Sequence, residues 1–403
     1  MANILPTTSI VAKEILAILQ NNRSFVNNVN RDYQDEFTGN MSRGYEPGQT
    51  INIKRPPRFQ WRAGRVASPQ DVQMTTTPLT LSQGGTELNF TSFEKTLSIS
   101  KFDRVMAAAA AAVANEVDRQ GLDVARRTAI NSVGTPGTFP NSQATAYSAL
   151  TSANQKLDEM GAPMMDGRRG LVMNSAMNSA LLQGMGGLFN NSSKVSKGYD
   201  TGRFVDSFGF DVSIDQNVAR HTNGTQPVAA LAVSGAGQTG ATLVTAATTG
   251  TITAGSTFTL PGVNAVNPQS RQDTGSLQQF VVTANVAAGA TSIPISPLIT
   301  TSGAFQTVTA SPANAAVLTF VGTVSGSYDA NLVYHGDAFT LAMVPMNQPE
   351  EGTGAKVTQI SDDGYTIKVT KVYDGINDNN IMRLDVLYGW AATYPELACK
   401  IVA

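Results

Sequence analysis

Residues 100–133, SKFDRVMAAAAAAVANEVDRQGLDVARRTAINSV, predict one long uninterrupted helix, and the rest of the chain is organised around it. Ser100 can cap its start, with Asp103 three residues on, because side-chain oxygens there satisfy backbone N–H groups that lack an intrahelical partner. Gly134 can turn left-handed after the last turn and Pro136 cannot continue the helix, so the expected stop is Val133. The alanines from 107 to 112 have the highest helix propensity, and Glu116 with Arg119 and Asp123 with Arg127 add same-face support. At about 1.5 Å per residue the helix would be roughly 50 Å long. Its apolar stripe is thin: Met106, Ala110, Val113, Val117, Gly121 and Val124 recur at three-and-four spacing. Such a helix packs one side on a sheet and leaves the other free. Taken alone the stretch is an ordinary amphipathic core helix, so function has to come from the rest of the chain.

The chain has 403 residues, room for two or three domains, and its net charge of −2 offers no global basic field for nucleic acid. Charged residues make up only 14%, which predicts an uncharged polar surface or one covered by other subunits. A single cysteine, Cys399, excludes an intramolecular disulfide framework. No stretch approaches the roughly 18 apolar residues of a membrane span. The opening MANILPTTSIVAKEILAILQNN is interrupted by Lys13 and Glu14 and suits a short amphipathic helix better than a secretory signal, so Sec-type export is not expected.

Residues 50–70, TINIKRPPRFQWRAGRVASPQ, carry Lys54, Arg55, Arg58, Arg62 and Arg65 with no acid among them. Ile51 and Ile53 alternate as in a strand, Pro56 and Pro57 forbid an interior strand, and alternation resumes over 80–93. A two-stranded arm with an irregular tip is expected, and such an arm is marginal in water unless it lies on something. Phe59 and Trp61 between the arginines also fit nucleic acid, with phosphates neutralised and bases stacked, but docking on protein is the better reading because no other basic patch joins it.

After the long helix, helices at 148–160 and 175–182 alternate with strands at 169–173 and 208–218, which suggests an α/β layer. Gly184, Gly186 and Gly187 do not make a phosphate loop, since no Gly-Lys-Ser/Thr follows and no strand precedes them. Composition then shifts: from 222 to 333 the only charged residues are Arg271, Asp273 and Asp329. Short β-rich segments at 226–234, 241–245, 278–284 and 317–320 predict a small all-β barrel or sandwich inserted into the layer. Strands resume at 338–344, 365–372 and 382–392, separated by the turn signals Asp363-Gly364 and Asp374-Gly375.

No catalytic constellation assembles. His221 and His335 flank the insert without a second ligand at metal spacing, so satisfied hinge histidines are expected. Cys399 is expected to be a buried apolar thiol, and Asp362 with Asp363, like Asp378 with Asn379 and Asn380, reads as a turn rather than a calcium loop. No catalytic residue, metal or cofactor is predicted.

The order of pieces, with GTITAGSTFTLPGVNAVNPQSRQDTGSLQQFVVTA at 250–284, HGDAFTLAMVPM at 335–346 and LYGWAATYPELACKIV at 387–402, resembles the major capsid (coat) proteins of P22-like tailed bacteriophages. The resemblance implies an α+β capsid fold of HK97 type with an inserted β-barrel. It implies an N-terminal arm at 1–45, an extended loop at 46–97, a spine helix and peripheral domain at 98–145, an axial domain at 146–221, the insert at 222–334, and axial or peripheral strands at 335–403. It further implies a non-enzymatic protein that self-assembles as hexamers and pentamers into the icosahedral shell of a virion. Scaffolding and portal proteins assist in the host cytoplasm, a decoration protein is an optional partner, double-stranded DNA is enclosed without sequence-specific binding, and no membrane is involved. In such family members the insert is implied to aid folding and shell-size control. Within that layout Lys54, Arg55, Arg58, Arg62 and Arg65 form a basic arm for contact between subunits, and Glu116, Asp118 and Asp123 become candidate acceptors on the spine helix of a neighbour. The alternatives are another virion component, such as a tail or decoration protein, or a DNA-binding protein using 54–65.

Overall fold

The computed structural model describes residues 25–33, 49–59, 61, 64–65, 69–91, 102–163, 166, 168–185, 201–204, 207–347, 356–362 and 365–403. Most of the expected N-terminal arm, the Ser100 cap, Arg62, Gly186, Gly187 and the Asp363-Gly364 turn lie outside the described residues. The described part is mixed α+β: three α-helices, α1 (Phe102–Thr128), α2 (Gln143–Glu159) and α3 (Ser175–Met185), among many strands. It divides into two compact units.

In the first unit, drawn from Met1–Ile53, Thr76–Gly121 and Thr340–Ala391, the organising strand is Asn379–Ala392. Tyr365–Asp374 pairs with it antiparallel on one side and carries Lys356–Asp362 beyond, while Ser82–Thr91 pairs with it from Tyr388↔Ser82 to Asn379↔Thr91. Ile53, Leu79, Leu81, Ala342, Val344 and Ala391 form a buried cluster here. The helix meets this unit at a glycine for a steric reason. A Cβ on Gly121 would lie 2.5 Å from the Trp390 ring, and that indole donates its Nε1–H to the Val117 carbonyl at 3.1 Å while stacking on Phe25 at 5.3 Å. Ala110, Val113 and Val117 are buried along the same stretch, as the thin stripe predicts; Ala114, outside that stripe, is buried as well, and Val124 within it is only half-buried.

The helix is shorter than its sequence suggests. It ends at Thr128, and Asn131–Val133 is a strand that pairs parallel with Ala398–Val402. A ladder partner thus overrides local helix propensity: the Asn131 amide donates to the carbonyls of Glu396 and Ala398 at 3.0 and 3.3 Å. Gly134 does take a positive φ of 96°, but to let the chain pass the Val402 carbonyl, where a Cβ would sit 2.5 Å away, and not to cap the helix.

The second unit takes Lys54–Thr75, Leu122–Phe339 and Ala392–Ala403. Its mixed sheet orders Asn131–Val133, Ala398–Val402, Ser327–His335, Arg169–Met173 and Asp211–Ile214, the outer pairs parallel and the inner ones antiparallel. Arg169–Met173 is buried at every position, as its unbroken apolar run requires. α2, opened by a Ser142–Thr145 capping box, and α3 bury Ala146, Leu150, Leu157, Met177 and Leu181 with Leu171, Val333 and Ile401. The helices are longer than predicted and the 208–218 strand shrinks to Asp211–Ile214.

Six further strands run in the order Leu231–Ala232, Val317–Phe320, Thr257–Val266, Asp273–Val282, Ser292–Ile299, Gly240–Val244. The two ends meet: Ser234 N–H donates to Val244 O at 3.0 Å and Ala246 N–H to Ala232 O at 2.8 Å, which closes the sheet on itself. Phe258, Phe280, Leu243, Ile293 and Leu318 fill the interior, with the first two rings stacked at 5.6 Å. The chain enters this barrel along Arg220–Thr222 and leaves along Ser327–His335, two strands paired at Thr222↔Ser327, so the exit strand is also the central strand of the mixed sheet.

Candidate functional site

The basic segment leaves a two-stranded hairpin, Thr50–Lys54 with Thr76–Thr80, and becomes irregular at Arg55, where the two prolines end the strand. Its tip presents Phe59, Trp61, Val72 and Met74 to solvent, with Trp61 87% exposed. Lys54 and Arg65 are exposed. Arg55 lies over the Tyr394 ring at 5.4 Å, and Arg58 lies 5.9 Å from the centre of the Phe305 ring while its Nη2 reaches Glu396 Oε1 at 3.3 Å. Arg271 donates to the Phe59 carbonyl at 2.8 Å. Arg58, Phe59, Arg271, Tyr394 and Glu396 line an open cleft of about 310 Å³ together with Met160, Pro268 and Leu397.

The three carboxylates expected to receive such arginines are differently placed. Asp118 is fully buried and accepts the Val26 N–H at 3.1 Å, so it serves packing and is closed to a surface partner. Glu116 is bound by Arg119 at 2.6 Å and by Gln120, and the Arg119 bond holds its carboxyl down at about 2. Asp123 sits between Arg126 and Arg127; burial raises its carboxyl, but the two guanidinium bonds win and keep it below the ordinary range. Sequence reasoning missed Glu396, Tyr394 and Arg271. Tyr394 and Glu396 lie within LYGWAATYPELACKIV, but nothing local shows that a segment 338 positions upstream of Glu396 lies on it.

The flanking histidines are both satisfied inside the chain. His335 Nε2 meets Asp166 Oδ2 at 2.6 Å. His221 lies between Arg126 at 2.7 Å and Ser256 at 3.2 Å, and burial, with the Lys400 and Arg126 charges adding to it, pushes its pKa down to about 3. Lys400 is fully buried beside it and donates to Thr257 Oγ1 at 2.9 Å, Gly255 O at 3.1 Å and Arg126 O at 3.4 Å. Burial lowers its pKa to about 7 and raises that of the buried Cys399 thiol to about 12. Among the described residues no His, Cys, Asp and Glu group is placed to hold a metal, and no helix is long and apolar enough to cross a membrane.

The described residues thus combine an exposed aromatic and basic arm, a long helix, a mixed sheet and a closed barrel. The family model of the P22 coat protein, gene protein 5, matches residues 89–401, and the chain belongs to that family. It is a major capsid protein, a component of the virion that self-assembles to form the shell. A search of curated proteins finds no match. Similar solved structures include one from Mycobacterium phage Che8, 12% identical over 94% of this chain and 90% of that one with a TM-score of 0.49. Another is the mature capsid of bacteriophage PhiM1, 11% identical over 88% and 82% with a TM-score of 0.44. The virus-like particle from Pyrococcus furiosus is 9% identical over 98% and 100%, also at 0.44.

Proposed function

We propose that the chain builds an HK97-type icosahedral shell of hexamers and pentamers in which 46–97 is an extended loop that reaches over a neighbouring copy. In this reading 1–45 is an N-terminal arm and 98–145 the spine helix with peripheral residues. Residues 146–221 and 335–403 form axial and peripheral parts, and 222–334 is the inserted barrel. The role is structural and non-enzymatic. The shell encloses packaged double-stranded DNA without reading its sequence, and it assembles in the host cytoplasm with scaffolding and portal proteins, with or without a decoration protein.

The observation that carries the loop assignment is the clustering of Phe59, Trp61, Val72 and Met74, each more than half exposed, on one basic hairpin tip. Several large apolar side chains left exposed on one segment suit an interface, and burying them on a neighbour contributes about 25 cal/mol per Å². Electron microscopy of particles from a Phe59→Ala/Trp61→Ala variant tests it. Closed shells should be lost while the chain stays folded; shells in normal yield would refute a docking role for the tip.

A further inference from the structure

The chain enters the barrel past two side-chain amides whose orientation the backbone dictates. The Asn223 amide nitrogen donates to the Val321 and Thr323 carbonyls at 2.8 and 3.0 Å, so its Oδ1 faces away from them. Gln226 is the reverse case: its Oε1 accepts the Thr249 and Gly250 N–H groups at 2.9 and 3.0 Å, which fixes its Nε2 on the other side. Among the described residues neither Asn223 Oδ1 nor Gln226 Nε2 has a hydrogen-bond partner, although both atoms are buried and Gln226 as a whole is only 6% exposed. An acceptor and a donor left over together are costly, since each gives up its bonds to water on folding.

A third group joins them through His221. A guanidinium only donates, so Arg126 Nη1, 2.7 Å from His221 Nδ1, requires a lone pair there and places the ring proton on Nε2. Burial, with the Lys400 and Arg126 charges adding to it, keeps that ring neutral. Its Nε2–H then donates to Ser256 Oγ at 3.2 Å, and the serine hydroxyl keeps its own hydrogen to give elsewhere. Ser256 is 2% exposed. Asn223, Gln226 and Ser256 line one cavity of about 10 Å³ together with Ile252 and Phe320, roughly the space that one water centre needs. A cation there would meet the Gln226 and Ser256 hydrogens and an anion the Asn223 oxygen. Water accepts from the first two and donates to the third.

We infer that this cavity is the site of one internal water molecule, held by Asn223, Gln226 and Ser256, which joins the entry turn of the barrel to the His221–Arg126 pair. Three partners are what a buried water typically has. Through it a hydrogen-bond chain runs from Asn223 and Gln226 by way of Ser256 and His221 to Arg126 and Asp123 on α1. The neck of the barrel is thereby tied to the end of the helix by polar groups, each of which has a partner.

A cryo-electron-microscopy map of assembled particles, at a resolution that shows ordered water, tests this. One peak should stand within about 2.7–3.2 Å of Asn223 Oδ1, Gln226 Nε2 and Ser256 Oγ. A featureless cavity in a map that shows water on other buried polar groups overturns the inference. Where the map stops short of that resolution, thermal unfolding of Ser256→Ala and Ser256→Gly decides. Glycine leaves room for a second water in place of the lost hydroxyl, so the glycine variant should melt at or above the alanine variant, against the backbone preference for alanine. Alanine melting above glycine is the order of a dry site and refutes the bound water.

Discussion

Two single residues show how little space the packing leaves. Trp390 crosses α1 at Gly121, and any Cβ there must displace the ring. Gly121→Ala therefore destabilises the chain by about 1–3 kcal/mol despite its better helix propensity, a loss that denaturant unfolding measures as a lower midpoint. Lys400 is the second case. Its amine is buried among neutral oxygens with no carboxylate bonded to it among the described residues, so the folded chain gives up a proton near pH 7 that the unfolded chain keeps to about 10.5. Between those values the unfolded state binds more protons, so stability rises with pH, is fully present above the unfolded pKa and is lost as pH falls towards 7. Lys400→Met removes this rise. Thermal unfolding from pH 7 to 10 should show the melting temperature of the parent climbing relative to the variant; parallel curves would exclude the assignment.

Among the elements, the strand pair at the neck of the barrel decides what can be removed. Thr222 and Ser327 are directly paired and their hydroxyls lie 2.7 Å apart, so the segment between them can be replaced by a short turn. A cut that continues to Val333 instead takes most of Ser327–His335, the strand to which both Arg169–Met173 and Ala398–Val402 are bonded. Deletion of 223–326 with a two-residue glycine turn should retain the mixed sheet, with circular dichroism and protease resistance intact, because losing Gly255 and Thr257 returns the Lys400 amine to water. Deletion of 222–333 should leave an unfolded, protease-sensitive chain. Comparable resistance of the two would show that the central strand is dispensable.

For the whole molecule, the division of labour is between residues that hold the chain and residues that hold copies together. Phe59 and Trp61 are exposed in the single chain, so removing them costs the fold about 0.5 kcal/mol or less, while particle yield should collapse. A matching fall in monomer stability would move them to the fold. The strand register, by contrast, is set by pairings within the chain. Much of this was open to the sequence. The 3.6-residue stripe from Ala110 to Gly121, the unbroken apolar run at Arg169–Met173, the switch to an uncharged β-rich composition after His221 and the motif residues that carry the family are all local patterns, set by burial periodicity and turn chemistry. Non-local pairings were not legible. The end of α1 at Thr128, the burial of Asp118 under Val26, the three oxygens around Lys400 and the meeting of Arg58 with Glu396 depend on segments tens to hundreds of residues apart. A carboxylate on a helix face looks the same in sequence whether solvent or a buried N–H will meet it, and only the folded chain decides which.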